Sequence, residues 1–214
     1  MRRALLAAVA VTSATLSVVF AVHALHQTAD GSGSSRQPAP NQDWLPVSTD
    51  ALATAQVAQY ERAREAREAL FAALLGELTA TLGAEGPVRA IDVCATKAPA
   101  IAAEVARAHD VRIGRTSWKL RQTGNLPPPW TQPLVDQRVD DECVVMSEGG
   151  TIGVLTPIRV AAACLQCHGT AADLAPGVAE ALERLYPDDD ATGFAAGDLR
   201  GWFWVEVPPP GTED

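Results

Sequence analysis

A chain of 214 residues, 47% hydrophobic and 20% charged, can bury one real core and is too short for two generous domains. Its formal net charge of −9 repels phosphate backbones, which argues against a nucleic-acid partner. The same acidity suits a basic redox partner, but it is also ordinary for a soluble protein.

Residues 1–25 are a different material from the rest. Arg2 and Arg3 form a basic start, and Ala4 to Val22 carry no charge. That run is as long as a bilayer span and longer than most signal-peptide cores, while Val22-His23-Ala24 offers a small-residue cleavage site. A cleaved signal peptide and a retained membrane anchor both remain open. Either predicts a periplasmic or otherwise extracytoplasmic body, secreted or membrane-anchored. Residues 26–43, built of Gly, Ser, Pro and polar residues without periodicity, read as a flexible linker.

The folded part is expected over residues 44–208, with 209–214 a Pro/Gly tail. Ser48-Thr49-Asp50 offers capping residues for a long helix running to about Gly83. Within it Phe71, Leu74, Leu75, Leu78 and Leu82 recur at helical spacing and read as a packing stripe. A second helix is expected over Ala100 to Ala108, then strand at Val111 to Ile113 and Thr116 to Leu120, then a rigid loop from Asn125 to Trp130. Cys143 to Met146 and Ile152 to Ile158 flank Ser147-Glu-Gly-Gly150, a good hairpin signal. A helix over Pro176 to Leu185 and a strand over Trp202 to Val207 complete an α+β fold, an antiparallel sheet flanked by helices.

The chemistry sits in Cys164-Leu-Gln-Cys167-His168. Two thiols three positions apart can each add to one vinyl group of a single porphyrin, and the adjacent His is then placed to ligate the iron. With only four Cys and four His in the chain, a chance Cys-x-x-Cys-His is on the order of one in a thousand. The reading is one covalent haem c, with Cys164 and Cys167 binding the cofactor and His168 the metal. Zinc is a rival: Cys164, Cys167 and His168 would then recruit Cys94 or Cys143. A dithiol or disulfide using the same cysteines is another, though no parallel βαβ context for thioredoxin-like chemistry is evident.

For the other face of the haem, composition offers Cys94, His109, Cys143 and Met146. His109 falls at a helix C-terminus, and Cys143 and Met146 fall on opposite faces of one strand. Cys94 lies just before a helix beginning at Pro99, where N-terminal amides stabilise a thiolate.

Several segments together resemble the single-haem c-type proteins of domain of unknown function 3365. They are Ala90-Ile-Asp-Val-Cys94 with Ala98-Pro99-Ala-Ile-Ala; Ile113-Gly-Arg-Thr-Ser117; and Cys164-Leu-Gln-Cys-His-Gly169. Tyr186-Pro-Asp with Ala191-Thr-Gly-Phe194, and Gly197-Asp-Leu-Arg-Gly201, come after them in the same order. The resemblance implies a PAS-like fold, His/Cys ligation with Cys94 as axial partner to His168, and an extracytoplasmic redox or sensory role. The chain departs from the family at Gln122-Thr-Gly-Asn125, where the family tends to Asn-Pro-x-Asn in a loop edging the pocket. Arg115, Arg121 and Arg200 are the candidate propionate partners, because a guanidinium pairs a carboxylate bidentately. Trp118, Trp130 and Trp202 either line the pocket or pack. An iron held on both faces leaves no site for substrate, so electron transfer with a redox partner, or sensing through a separate signalling partner, is expected over catalysis.

Overall fold

The computed structural model describes residues 44–211. The expected leader, the linker and the last three residues of the tail lie outside them. The chain opens with a short edge strand, β1 (Trp44–Pro46), paired antiparallel with residues 145–147. Because Val47 N–H still donates to Val144 O at 3.0 Å, the chain cannot turn helical until it has left the sheet. Ser48-Thr49-Asp50 therefore forms a 3-10 turn rather than a helix cap. The long helix α1 (Thr54–Glu85) starts later than expected, where the Gln56 side chain reaches back to Ala53 N–H at 2.8 Å. It runs through Gly83 and stops at Gly86, whose φ of 81° lies in the left-handed region glycine tolerates.

Pro87 then opens α2 (Pro87–Thr96), a helix not foreseen. Cys94 thus lies in the last turn of a helix rather than in a loop before one. Only Lys97 separates α2 from α3 (Ala98–His109). A single strand, β2 (Arg112–Thr116), replaces the two expected. It ends because the Ser117 hydroxyl accepts from Lys119 N–H at 3.0 Å, bending the backbone out of the sheet, so Ser117 to Leu120 is not strand. The loop after it carries a short helix, α4 (Gln132–Asp136), also unforeseen. The hairpin β3 (Cys143–Ser147) and β4 (Ile152–Arg159) stands where expected, its turn closed by Gly150 N–H on Ser147 O at 2.9 Å. After α5 (Leu165–His168) and α6 (Val178–Leu185), β5 (Leu199–Val207) completes the sheet.

The sheet order is β1-β3-β4-β5-β2, and every neighbouring pair is antiparallel. The fold is α+β, as the sequence predicts. Alternation along the strands divides its two faces. Val144, Val154, Phe203 and Val205 meet Ala63, Ala66 and Leu70 of α1 and Val105 of α3. Val145, Leu155 and Trp202 turn the other way, onto Trp130 and Val135 of the connecting loop. Small residues at Ala63 and Ala66, both fully buried, let α1 lie close against the sheet. Cys143 and Met146 do face opposite sides of β3. A third cluster, Ile91 of α2 with Val178, Ala181 and Leu182 of α6, holds the helical lobe that carries Cys167. Among the described residues no helix is long and apolar enough to cross a membrane.

Candidate functional site

A cavity of about 410 Å3 opens between α1, α2, the β2 end of the sheet and the Cys164–His168 turn. Its volume falls within the range of small-molecule and cofactor sites. All seven residues nominated from sequence line it: Cys94, Arg115, Arg121, Cys164, Cys167, His168 and Arg200. So do Gln122 and Asn125 of the loop expected to edge a pocket. His109, Cys143 and Met146 do not. Cys143 lies beside Asp141 O, and Met146 takes a contact from Gln56 Nε2 in the sheet core. Trp118, Trp130 and Trp202 pack together on the far face of the sheet.

The α1 stripe has a different use from the one its spacing suggests. Phe71, Leu74, Leu75, Leu78 and Leu82 wall the cavity, while Ala63, Ala66 and Leu70 make the core contact. Phe71 and Leu75 remain 46% and 43% exposed.

His168 is held in one tautomer. Its Nδ1 lies 2.7 Å from the Ala191 carbonyl, which can only accept, so the proton sits on Nδ1 and the lone pair on Nε2. Arg200 Nε, 3.3 Å from the same nitrogen, therefore makes an electrostatic contact rather than a hydrogen bond. Burial first, then the Arg121 and Arg200 cations, push the imidazole pKa down to about 3. At neutral pH the ring is uncharged with a free Nε2 lone pair, the state a metal ligand requires.

Two thiols at the site are pushed the same way. Burial pushes Cys94 up, opposed by the Arg115 and Arg121 cations. Burial also raises Cys167, with Arg121 again opposing. All four cysteines are free thiols. Among the described residues no three His, Cys, Asp or Glu side chains gather as a ready-made metal-ion site.

The arginines divide as well. Arg121 pairs with Asp189 at 3.0 Å and donates to Cys167 O at 2.6 Å and Ala191 O at 3.3 Å. Arg200 donates to Ser117 Oγ at 3.0 Å and Lys119 O at 3.1 Å, and lies over the Phe194 ring. Both spend their donors on the protein. Arg115 does not: among the described residues no side-chain hydrogen bond or ion pair engages its guanidinium, and burial lowers its pKa against only the Cys94 and Tyr186 side chains. The other charged wall residues are matched, Arg159 by Asp140 at 2.7 Å and Glu77 by Lys97.

A family model described as Tll0287-like, Tll0287, matches residues 13–208. The chain belongs to the Tll0287-like family. A solved structure, "Crystal structure of the cyanobacterial heme-protein Tll0287", matches with a TM-score of 0.55 and 24% identity, over 71% of this chain and 95% of that one. At that identity the match speaks for the fold. No curated protein matches the chain.

In this Tll0287-like chain the Cys164–His168 turn is clasped by a segment the motif does not announce. Phe194 N–H donates to His168 O at 3.0 Å and Gly193 N–H to Gly169 O at 2.8 Å, while Ala191 N–H donates to Asp189 Oδ1 at 2.9 Å. Gly169 succeeds the histidine because a Cβ there would meet Asp173 Cβ at 2.5 Å and Leu165 O at 2.8 Å. Asp189 and Ala191 escaped motif reasoning, since one is a common surface acid and the other acts through its backbone. Their only trace in the sequence is the resemblance of the segments around Tyr186 and Ala191.

Proposed function

We propose that the chain is an extracytoplasmic c-type haem protein, holding one covalent haem and serving electron transfer or redox sensing. The observation that carries the reading is the convergence of Cys94, Cys164, Cys167 and His168 on one apolar cavity that also contains an unmatched guanidinium. The donor set fits the group. Cys164 and Cys167 would form the thioethers, and His168 offers a neutral Nε2. Cys94 alone of the four candidate second ligands reaches the cavity. Arg115, half-buried on the cavity wall without a counter-charge, suits a propionate carboxylate. Arg121 serves instead to hold the turn at Cys167 O, and Arg200 to hold Ser117 and Lys119. Haem binding also accords with the haem protein of like fold.

His168 and Cys94 would hold the haem, which would supply one-electron chemistry biased toward the ferric state. The protein's part is to exclude water with the α1 leucines, fix the imidazole tautomer and balance the propionates. Were His168 and Cys94 both to bind the iron, no coordination position would be left for a substrate, which would favour a redox or sensory role over an enzymatic one. The leader and the net charge of −9 point to a compartment outside the cytoplasm and a basic redox partner, or a separate signalling partner. Zinc is disfavoured because the candidate ligands do not converge as a tetrahedral set among the described residues.

Expression with the haem-attachment machinery tests this. The purified chain should show the mass of polypeptide plus one haem and a pyridine haemochrome of the c type. Cys94→Ala should change the visible spectrum. A colourless chain with the mass of bare polypeptide overturns the reading, and a spectrum indifferent to Cys94→Ala removes that thiol from the iron.

A further inference from the structure

We propose that Arg121 and Asp189 are a positioning pair that sets the donor strength of the His168 imidazole through the carbonyl of Ala191. The inference rests on His168 being the iron ligand.

Three contacts define the device. The Ala191 carbonyl accepts from His168 Nδ1–H at 2.7 Å and, more weakly, from Arg121 Nη2 at 3.3 Å. Asp189 neutralises that guanidinium at 3.0 Å and takes Ala191 N–H on Oδ1 at 2.9 Å, anchoring the residue that carries the carbonyl. Arg121 also holds Cys167 O at 2.6 Å, so the pair ties the residue before the ligand to the acceptor of the ligand's proton. The Arg121 and Asp189 side chains are 10% and 8% exposed, so solvent screens their charges little.

The two halves push the imidazole in opposite directions. A carbonyl shared with a cation is a poorer acceptor, so Arg121 limits how much electron density His168 gains from its Nδ1–H bond. Asp189 offsets that cation. Removing Arg121 frees the carbonyl for His168 alone and leaves a buried carboxylate nearby. Both changes favour ferric iron. Removing the Asp189 charge leaves the guanidinium uncompensated beside the ring, which favours ferrous iron. Groups that hydrogen-bond a metal-bound histidine commonly act through this route. A pair that only stapled the turn would lower stability without opposing effects on potential.

The test uses the full chain with haem attached, after the pyridine haemochrome has established that wild type carries it. Potentials of wild type, Arg121→Gln, Asp189→Asn and Arg121→Lys are compared by spectroelectrochemical titration. Arg121→Gln should lower the potential and Asp189→Asn raise it. Each should change the ferric-to-ferrous ratio at fixed applied potential about tenfold, or ~59 mV for one electron. Arg121→Lys keeps the cation and should stay near wild type. If Arg121→Gln fails to fold, Asp189→Asn and Arg121→Lys still decide. Shifts of the same sign, or none, in variants that hold haem overturn this inference alone. A wild-type chain without haem overturns the function reading, and this inference with it.

Discussion

The His168 imidazole and the Ala191 carbonyl, 23 residues apart in sequence, share one proton across 2.7 Å. Burial and two neighbouring guanidinium groups keep that ring neutral, with a pKa near 3 against an ordinary 6.5. Between those values the unfolded haem-free chain binds more protons at this site than the folded one, so stability rises with pH across the window. The haem-free protein should therefore lose stability as pH falls below about 6.5, down to about 3. Denaturant titrations over that range should show the loss, and a flatter profile for His168→Gln. Parallel profiles would show that the ring is not held neutral.

Arg115 leads to a prediction with two signs. An unmatched guanidinium on a cavity wall costs folding free energy unless an anion arrives. Arg115→Leu should stabilise the haem-free chain by about 1 kcal/mol at most, because a half-buried guanidinium keeps part of its solvation. The same change should weaken retention of haem in a chain whose thioethers are blocked by Cys164→Ala and Cys167→Ala. Thermal melts and haem titration of the two backgrounds measure both. A fall in haem-free stability would show that Arg115 already has a partner.

Gly169→Ala should cost about 1–3 kcal/mol, because the new methyl meets Asp173 Cβ at 2.5 Å and the Leu165 carbonyl at 2.8 Å. The turn would have to open, so the yield of attached haem should fall with the melting temperature. Asp173→Gly alongside it should recover part of the loss, less what Asp173 gives up in bonding Thr170 N–H at 2.9 Å.

Leu70 is fully buried between α1 and the sheet, one residue before the cavity wall begins at Phe71. Leu70→Ala should destabilise by about 2–5 kcal/mol. Phe71→Ala, at a half-exposed position, should cost much less in the haem-free chain and more once haem is present. Equal costs would place Phe71 in the core.

The β3–β4 hairpin was the most legible part of this chain, whereas the edge strand β1 was not foreseen and β5 begins three residues before the expected Trp202. Alternating apolar residues around Gly149 and Gly150 mark β3 and β4 to within a residue, because a two-faced antiparallel strand writes its period directly. The helices around Cys94 were not. Only Lys97 stands between α2 and α3, too short a break to read as a boundary, and the Gly86-Pro87 pair that opens α2 reads equally well as a loop. Ser117 to Leu120 looked like strand because no propensity reveals a serine bonding two residues ahead. At the site, the residue types that bind metals were visible at once, and spacing brought out Cys164, Cys167 and His168. What it could not bring out were contacts made by the main chain, such as the Ala191 carbonyl, or by a carboxylate 68 residues from its arginine, as with Asp189 and Arg121.

The α1 wall has a consequence for the life of the chain before it is loaded. Phe71 and Leu75 leave a greasy trough along a helix of 32 residues. On the haem reading, a newly made polypeptide displays that trough to chaperones and proteases until the cofactor closes it. Abundance would then track the supply of haem rather than the rate of translation.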